Sequence, residues 1–386
     1  MSGPLCGIRV LDLTRAMAGP YATLMLADAG ADVVKVERPV SGDDSRGWGP
    51  PFVHPPGQPD QRESAYFLAV NRGKRSIVVD FKTPEGLARL RDLIARADVL
   101  VENFRPGVME RLGLGEEALA ELNPRLVTLS ITGFGEGGPE GHRPGFDHIL
   151  QGEGGLMSLT GPEGGQACKV GVPIADILAG MFGAFGVAAA LTERAGSGRG
   201  QRVRTSLLAG MVAVHTYHGT RWLVAGEVPR SVGNRHPSIA PYGSFACADG
   251  EITIAVGSEG LWRRFAPLVW LDPSDEQFAA NADRVRRIDE LAVAMAPALT
   301  SATAQEWMKR LDEAGVPAGR IRTLDQVYDS AQVAHLGLVD VVKHTTLGPL
   351  RLPGSPITYS RTPHSAPAAP PVLGQHDADD LWRTAR

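Results

Sequence analysis

Asp176 is the residue with the most chemical promise. It follows Gly171-Val172-Pro173-Ile174-Ala175 and precedes the apolar stretch Ile177–Leu191, which places it at the start of a helix. An aspartate there can be a simple N-cap. A helix that is apolar on nearly every side must be buried, however, and this brings the carboxylate inside the protein. Contacts with the helix N-terminus would keep it ionised, and an ionised, partly desolvated carboxylate can attack an activated acyl group. Asp147, in Arg143-Pro144-Gly145-Phe146-Asp147-His148, is a second carboxylate at the opening of a helix, where capping or local ion pairing is the plainer role. His148 points elsewhere on that helix, so the two make no ready-made dyad.

Arg38, Lys82 and Arg111 fall just past expected strands or on the helix after one. Cations gathered at one sheet edge would suit a phosphorylated ligand, because Arg and Lys donate charge-assisted hydrogen bonds. Each alone could equally be a solvated charge at a loop end. The turn Thr14-Arg15-Ala16-Met17-Ala18-Gly19-Pro20 lacks the Gly-x-Gly-x-x-Gly of dinucleotide loops, although a helix N-terminus beyond a strand can still hold an anion. The sequence has no Gly-x-Ser-x-Gly, no His-Glu-x-x-His and no phosphate-binding Gly-x-x-x-x-Gly-Lys-Ser/Thr, so serine hydrolases, zinc peptidases and P-loop enzymes lose ground. Cys6, Cys168 and Cys247 are far apart and lack zinc or redox spacing, and no metal site is expected.

The elements that must position these residues alternate between short β-branched runs and helix-like stretches. Ile8–Leu13 precedes Tyr21–Ala29; Val33–Glu37 and Ile77–Val79 precede Pro84–Arg96; Val99–Glu102 precedes Glu116–Leu122 and then Leu126–Ile131. This alternation predicts an α/β fold with a large, doubly wound, Rossmann-like domain. Ligands of such sheets bind beyond the carboxyl ends of the strands, so 14–20, 38–47, 80–82 and 103–107 should converge. A Gly-rich turn at Arg194–Gln201 and a hairpin signature around Asp249-Gly250 announce a smaller α+β domain with helices at Ile288–Ala296 and Ala304–Ala314. The expected organisation is a large domain over 1–205, a linker over 206–235, a small domain over 236–325, and a return to the large domain over 326–386.

With 386 residues, 43% hydrophobic and 21% charged, the chain can bury one large core or two smaller ones, which excludes disorder. Its net charge of −4 offers no field for a polyanion, and nucleic acid is not an expected partner. The apolar run Ile177–Leu191 is short of the roughly 20 residues of a bilayer span, so no membrane is expected either. The first strand begins close to Met1, leaving no room for a targeting peptide, and a cytoplasmic location is expected.

The segments Val10-Leu11-Asp12-Leu13-Thr14, Ala18-Gly19-Pro20, Lys35-Val36-Glu37-Arg38, Gly42-Asp43, Lys74-Arg75-Ser76-Ile77, Val101-Glu102-Asn103-Phe104, Pro106-Gly107, Arg111, Gly113, Gly198-Arg199-Gly200-Gln201 and Leu373-Gly374-Gln375-His376 are weak singly and specific in this order. Through them the chain resembles, over nearly its whole length, the class III CoA-transferases, the family of formyl-CoA transferase and carnitine CoA-transferase. The resemblance implies that Asp176 is the nucleophile. It places Arg15, Ala16, Ala18, Arg38, Val79, Lys82, Asn103, Phe104, Arg111 and Arg143 around CoA. It also implies ring-shaped subunits in an interlocked homodimer, with the CoA site between one subunit's large domain and the other's small domain. No tightly bound cofactor is implied; coenzyme A, as acyl-CoA, is a substrate together with a small carboxylic acid.

In the implied mechanism the Asp176 carboxylate attacks the donor thioester, giving an aspartyl anhydride and CoA thiolate, which then form an aspartyl-CoA thioester. The same fold hosts α-methylacyl-CoA racemases, which resemble this chain but use a histidine where Phe146 stands, and a phenyl ring cannot exchange an α-proton. A non-catalytic CoA-binding protein is the third reading. The segments Gly42–Phe52, Thr160–Glu163 and His236–Tyr242 look most like the branch that passes CoA from succinyl-CoA to glutarate, which implies a dicarboxylate acceptor. Its remote carboxylate would need a cation. Arg46, Arg235 and His236 are the candidates, each equally explicable by a surface or turn role, with Asp147 also on the substrate side.

Overall fold

The computed structural model describes residues 3–58, 60–363, 366–378 and 381–382. The chain forms two compact units. The first contains the chain up to Met157, Lys169–Val228 and the chain from Ala331 onward; the second contains Ser158–Cys168 and Pro229–Ser330.

The first unit is built on six parallel strands: β1 (Arg9–Asp12), β2 (Asp32–Glu37), β3 (Lys74–Val78), β4 (Val99–Glu102), β5 (Val127–Thr132) and β6 (Arg202–Ser206). Their order is β3-β2-β1-β4-β5-β6, so the chain reverses direction across the sheet between β1 and β4. Crevices open at such a point beyond the carboxyl ends of the strands. Strands covered on both faces read as near-continuous apolar runs, as β4 (VLVE, buried throughout) does.

The longer helices of this unit include α1 (Ala18–Asp28), α2 (Ala65–Val70), α3 (Pro84–Arg96), α4 (Glu116–Leu122), α5 (Asp147–Glu153), α6 (Ile174–Ser197), α7 (Leu207–Ala213) and α8 (Thr216–Ala225). Alternate strand residues feed separate cores. Val10, Val33, Val99 and Val101 pack with Ala22 and Leu26 of α1 and Ala179 and Val187 of α6. Leu11, Val34, Val36 and Leu100 pack with Leu90, Leu93 and Ile94 of α3.

Helix α6 departs from expectation in two ways. It has 24 residues, long and apolar enough by length and composition to cross a membrane, where a shorter run was expected. It is also buried on one face only: Ala175, Ala179, Gly183 and Val187 are covered, whereas Phe185 is 75% exposed. The covered face meets α1 at very short range. A Cβ on Gly180 would lie 2.7 Å from the Ala18 carbonyl oxygen. Gly180→Ala should therefore destabilise the protein by about 1–3 kcal/mol, because backbone cannot give way cheaply and the usual helical advantage of alanine is smaller. Urea unfolding of the two proteins checks this, and a gain in stability would contradict the close approach.

Residues 206–228 were expected to be a linker, but they belong to the first unit. Leu207 and Met211 of α7 are buried in the same core as α1 and α6. Conversely, 158–168 joins the second unit, where the Gly233 amide donates to the Gly161 carbonyl at 3.1 Å and the Ser231 hydroxyl to the Pro162 carbonyl at 3.2 Å.

The second unit is α+β. Its antiparallel sheet has β7 (Tyr242–Cys247), β8 (Gly250–Ala255) and β9 (Ala318–Arg320) in the order β9-β8-β7. Cys247 pairs with Gly250, so Ala248 and Asp249 form the turn, one residue earlier than expected. The helices α9 (Glu259–Phe265), α10 (Ile288–Leu299) and α11 (Ala304–Glu313) bury Trp262, Phe265, Met295 and Trp307 against it. Thr303 caps α11 in a reciprocal capping box with Glu306. The chain then returns to the first unit. There β10 (Val339–His344) and β11 (Gly348–Pro353) pair, with Val342 and Leu352 clustering beside Leu68 of α2.

Candidate active site

The loop after β1 is held from beneath by charges that the sheet brings together. Asp12 accepts from the Thr14 amide at 2.9 Å and the Thr23 hydroxyl at 2.6 Å, and pairs with Lys74 at 3.2 Å. Lys35 donates to the Thr14 carbonyl at 2.8 Å and pairs with Asp43 at 2.7 Å. Asp12, Lys35, Asp43 and Lys74 are all buried. Burial alone would raise the Asp12 pKa, but Lys74, Lys35 and the two hydroxyls outweigh it and hold the group at about 2. Burial brings the Lys74 ammonium down to about 8 despite Asp12.

The loop that this network carries is strained. Ala16 has φ +68°, a left-handed conformation costing an L-residue about 1–2 kcal/mol. It is compensated locally, since Asp43 accepts from the Ala16 amide at 3.0 Å. Asn103, just beyond β4, clamps Arg15 from both sides: its side chain accepts from the Arg15 amide at 3.0 Å and donates to the Arg15 carbonyl at 2.8 Å.

The opposite wall is the segment leading into α6. Gln151, fully buried on α5, accepts from the Val170 amide at 2.8 Å and donates to Asp147 at 2.8 Å. Asp147 in turn accepts from the Ala175 amide at 2.9 Å. The cap of α6 is thus Asp147, from another helix, and Asp176 is left with its side chain turned to the cavity.

A cavity of about 690 Å³ lies between these walls. Ala16, Met17 and Ala18 line it from the β1 loop, Phe104 and Arg105 from the β4 loop, and Asp147, Pro173 and Asp176 from the α5–α6 side, with Trp48 and Tyr66 between. Burial, and then the charge of Asp147, push the Asp176 carboxyl up to about 7. The expectation that helix contacts keep it fully ionised is therefore corrected, because Asp147 takes the helix amide and adds a like charge. Burial followed by the charges of Asp176 and Asp147 also raises the Tyr66 hydroxyl, so all three groups share one environment.

A carboxyl titrating near 7 gives a directional result for the nucleophile role that the resemblance implies for Asp176. In that role the anion is the active form, so kcat/KM should rise with pH through about 7. Asp147→Asn keeps a capping oxygen but loses the charge, and should move that limb to lower pH. Stopped-time assays between pH 5 and 9 check both, and an unmoved limb would contradict the coupling.

Of the residues singled out in sequence, Arg15, Ala16, Ala18, Asn103, Phe104, Arg143, Asp147 and Asp176 line this cavity. Arg38 lines a neighbouring cavity of about 300 Å³ that shares Arg15, Phe104 and Arg105 with it. Lys82 and Arg111 are exposed and line neither. Val79 buries its side chain in the core under α3, which leaves that side chain nothing to offer a ligand.

Arg46 must be withdrawn as an acceptor-binding cation. It makes two 2.7 Å bonds to Glu37, donates to the Pro371 carbonyl at 3.0 Å and stacks 3.6 Å from the centre of the Phe67 ring. Arg235 and His236 belong to the second unit, where Arg235 pairs with Asp289 at 2.7 Å and His236 accepts from the Ser238 amide at 3.1 Å. Sequence reasoning passed over Trp48, Tyr66, Arg105, Lys169 and Gln151. Only the charged residues inside otherwise apolar strands, Asp12 and Lys35, carried a readable signal.

Fold and site define an α/β protein whose ligand cavity lies beyond the carboxyl ends of a central parallel sheet, with a sheltered aspartate on its wall. Residues 5–377 match the profile of CoA-transferase family III. The chain is 39% identical over 385 residues to the succinyl-CoA:glutarate CoA-transferase of Mus musculus, covering 99% of this chain and 87% of the mouse protein. It is 40% identical over 383 residues to the succinate–glutarate CoA-transferase of Agrobacterium fabrum, covering 98% and 95%. A crystal structure of a CAIB/BAIF family protein from Brucella suis matches with a TM-score of 0.86 at 37% identity, covering 98% of each chain. The chain belongs to CoA-transferase family III.

Proposed function

We propose that this protein moves CoA from an acyl-CoA donor such as succinyl-CoA to a small dicarboxylate such as glutarate, with Asp176 as the nucleophile. The observation that carries this reading is a half-buried carboxyl on the wall of a 690 Å³ cavity, with the Ala175 amide at the start of α6 already donating to Asp147 rather than to Asp176. An Asp176 oxygen attacks the donor carbonyl, the C–S bond breaks, and CoA leaves as thiolate. The thiolate attacks the aspartyl carbonyl of the anhydride, forming aspartyl-CoA and releasing the donor acid. The acceptor carboxylate attacks that thioester to give a second anhydride and thiolate. The thiolate then adds to the acceptor's carbonyl, yielding the product thioester and free Asp176.

Each tetrahedral species needs donors for its oxyanion. Helix α1 begins with no side-chain cap and no acid in its first turn, so its first N–H groups beside Ala18 are suited to that task. Arg15 and Arg38, both paired with Asp44, and Phe104 would meet the CoA nucleotide. Lys82 and Arg111 line neither cavity and are assigned to CoA by family resemblance, whereas Arg143 lines the larger cavity but must share its guanidinium with Glu140 and Glu153. Two cores on alternate strand residues support a doubly wound sheet, and family resemblance supports ring-shaped subunits interlocked as a homodimer. A panel of acyl-CoA donors against short mono- and diacids tests the function. CoA exchange fastest between succinyl-CoA and a diacid is expected; α-deuterium loss from a 2-methylacyl-CoA without acceptor acid would instead favour racemisation.

A further inference from the structure

We propose that Lys169 is the cation that receives the acceptor's remote carboxylate and so selects dicarboxylates. This rests on the CoA-transfer reading above. A diacid whose near carboxylate reacts at Asp176 must place its second charge on the same cavity, where an unpaired carboxylate would lose its hydration without return. The cations lining that cavity include Arg15, Arg105, Arg143 and Lys169. Arg15 is engaged by Asp44, and Arg143 by Glu140 and Glu153. Arg105 lies beside Phe104 and Pro106 and also lines the cavity that contains Arg38, the side assigned to CoA.

Lys169 differs from these in place and in partners. It opens the segment that runs through Gly171 and Pro173 to Asp176, so it shares the α6 wall with the nucleophile. Among the described residues its ammonium meets the Val170 carbonyl at 3.2 Å and the Gly171 carbonyl at 3.5 Å and no carboxylate. An ammonium has three donors, and two backbone carbonyls leave one for an incoming carboxylate. The backbone beneath it is fixed, because the next amide, Val170, donates to fully buried Gln151 at 2.8 Å. The site is thus pre-organised at its base and adjustable at its tip, which suits diacids of related length.

The test is internal competition. With succinyl-CoA as donor, glutarate and butyrate, which differ by the terminal carboxylate, compete for one aspartyl-CoA intermediate. The ratio of glutaryl-CoA to butyryl-CoA therefore reports acceptor choice independently of the donor step. In Lys169→Met the ratio should fall about 10- to 100-fold, the range expected for a hydrogen bond to a charged group, while Lys169→Arg should stay within a few-fold of wild type. An unchanged ratio in Lys169→Met overturns the assignment while leaving CoA transfer standing. A wild-type protein that forms neither product contradicts the CoA-transfer reading, and this assignment with it.

Discussion

Asp176→Asn should fold, bind CoA and lose CoA exchange by at least about three orders of magnitude, as expected when a covalent nucleophile is removed. The amide keeps the shape of the side chain but cannot form an anhydride. The same substitution should raise stability above neutral pH. Burial and Asp147 lift the folded-state pKa to about 7 from an unfolded value near 3.8. Between those values the unfolded chain ionises more readily, so the wild type loses stability as pH rises from about 4 to 7. Asparagine does not titrate, so the melting temperature of Asp176→Asn should exceed that of the wild type at pH 8 and converge with it near pH 4. Equal melting temperatures at pH 8 would show that the carboxylate bears no desolvation cost.

Lys35→Met should cost about 3–5 kcal/mol, the range for removing one partner of a buried ion pair. Asp43 would keep its charge with no cation at 2.7 Å, and the Thr14 carbonyl would lose its donor. Activity should fall with stability, because Asp43 also fixes the left-handed Ala16 on the cavity wall. A double variant, Lys35→Met with Asp43→Leu, separates the two effects. Replacing a buried pair by apolar groups recovers stability, but Ala16 then lacks its acceptor. Stability should return in part, measured by urea unfolding, while turnover should not. Full recovery of turnover would show that the strained loop needs no support from Asp43.

The alternation of strands and helices was readable because buried parallel strands are apolar runs, and their order brings the β1 and β4 loops to one crevice. Strand β6 escaped notice for the opposite reason: RVRTS is at the sheet edge, and its half-polar pattern resembles a connecting turn. Asp176 was legible from the apolar helix behind it. Its relation to Asp147 was not, since a cap supplied across 28 residues leaves no local pattern. Asp12, Lys35 and Lys74 stood in plain view within strands, but only the sheet order shows that they neutralise one another. Arg46 misled because its sequence setting, a Gly-rich loop, reads as exposed, whereas Glu37 and Phe67 enclose it.

Mass spectrometry of the protein after incubation with succinyl-CoA and hydroxylamine tests the central claim most directly. Hydroxylamine intercepts an aspartyl anhydride or thioester, so a hydroxamate is expected on Asp176, formed only in the presence of the acyl-CoA. An unmodified Asp176 in a sample that has exchanged CoA, or a hydroxamate on another carboxylate, would contradict the account.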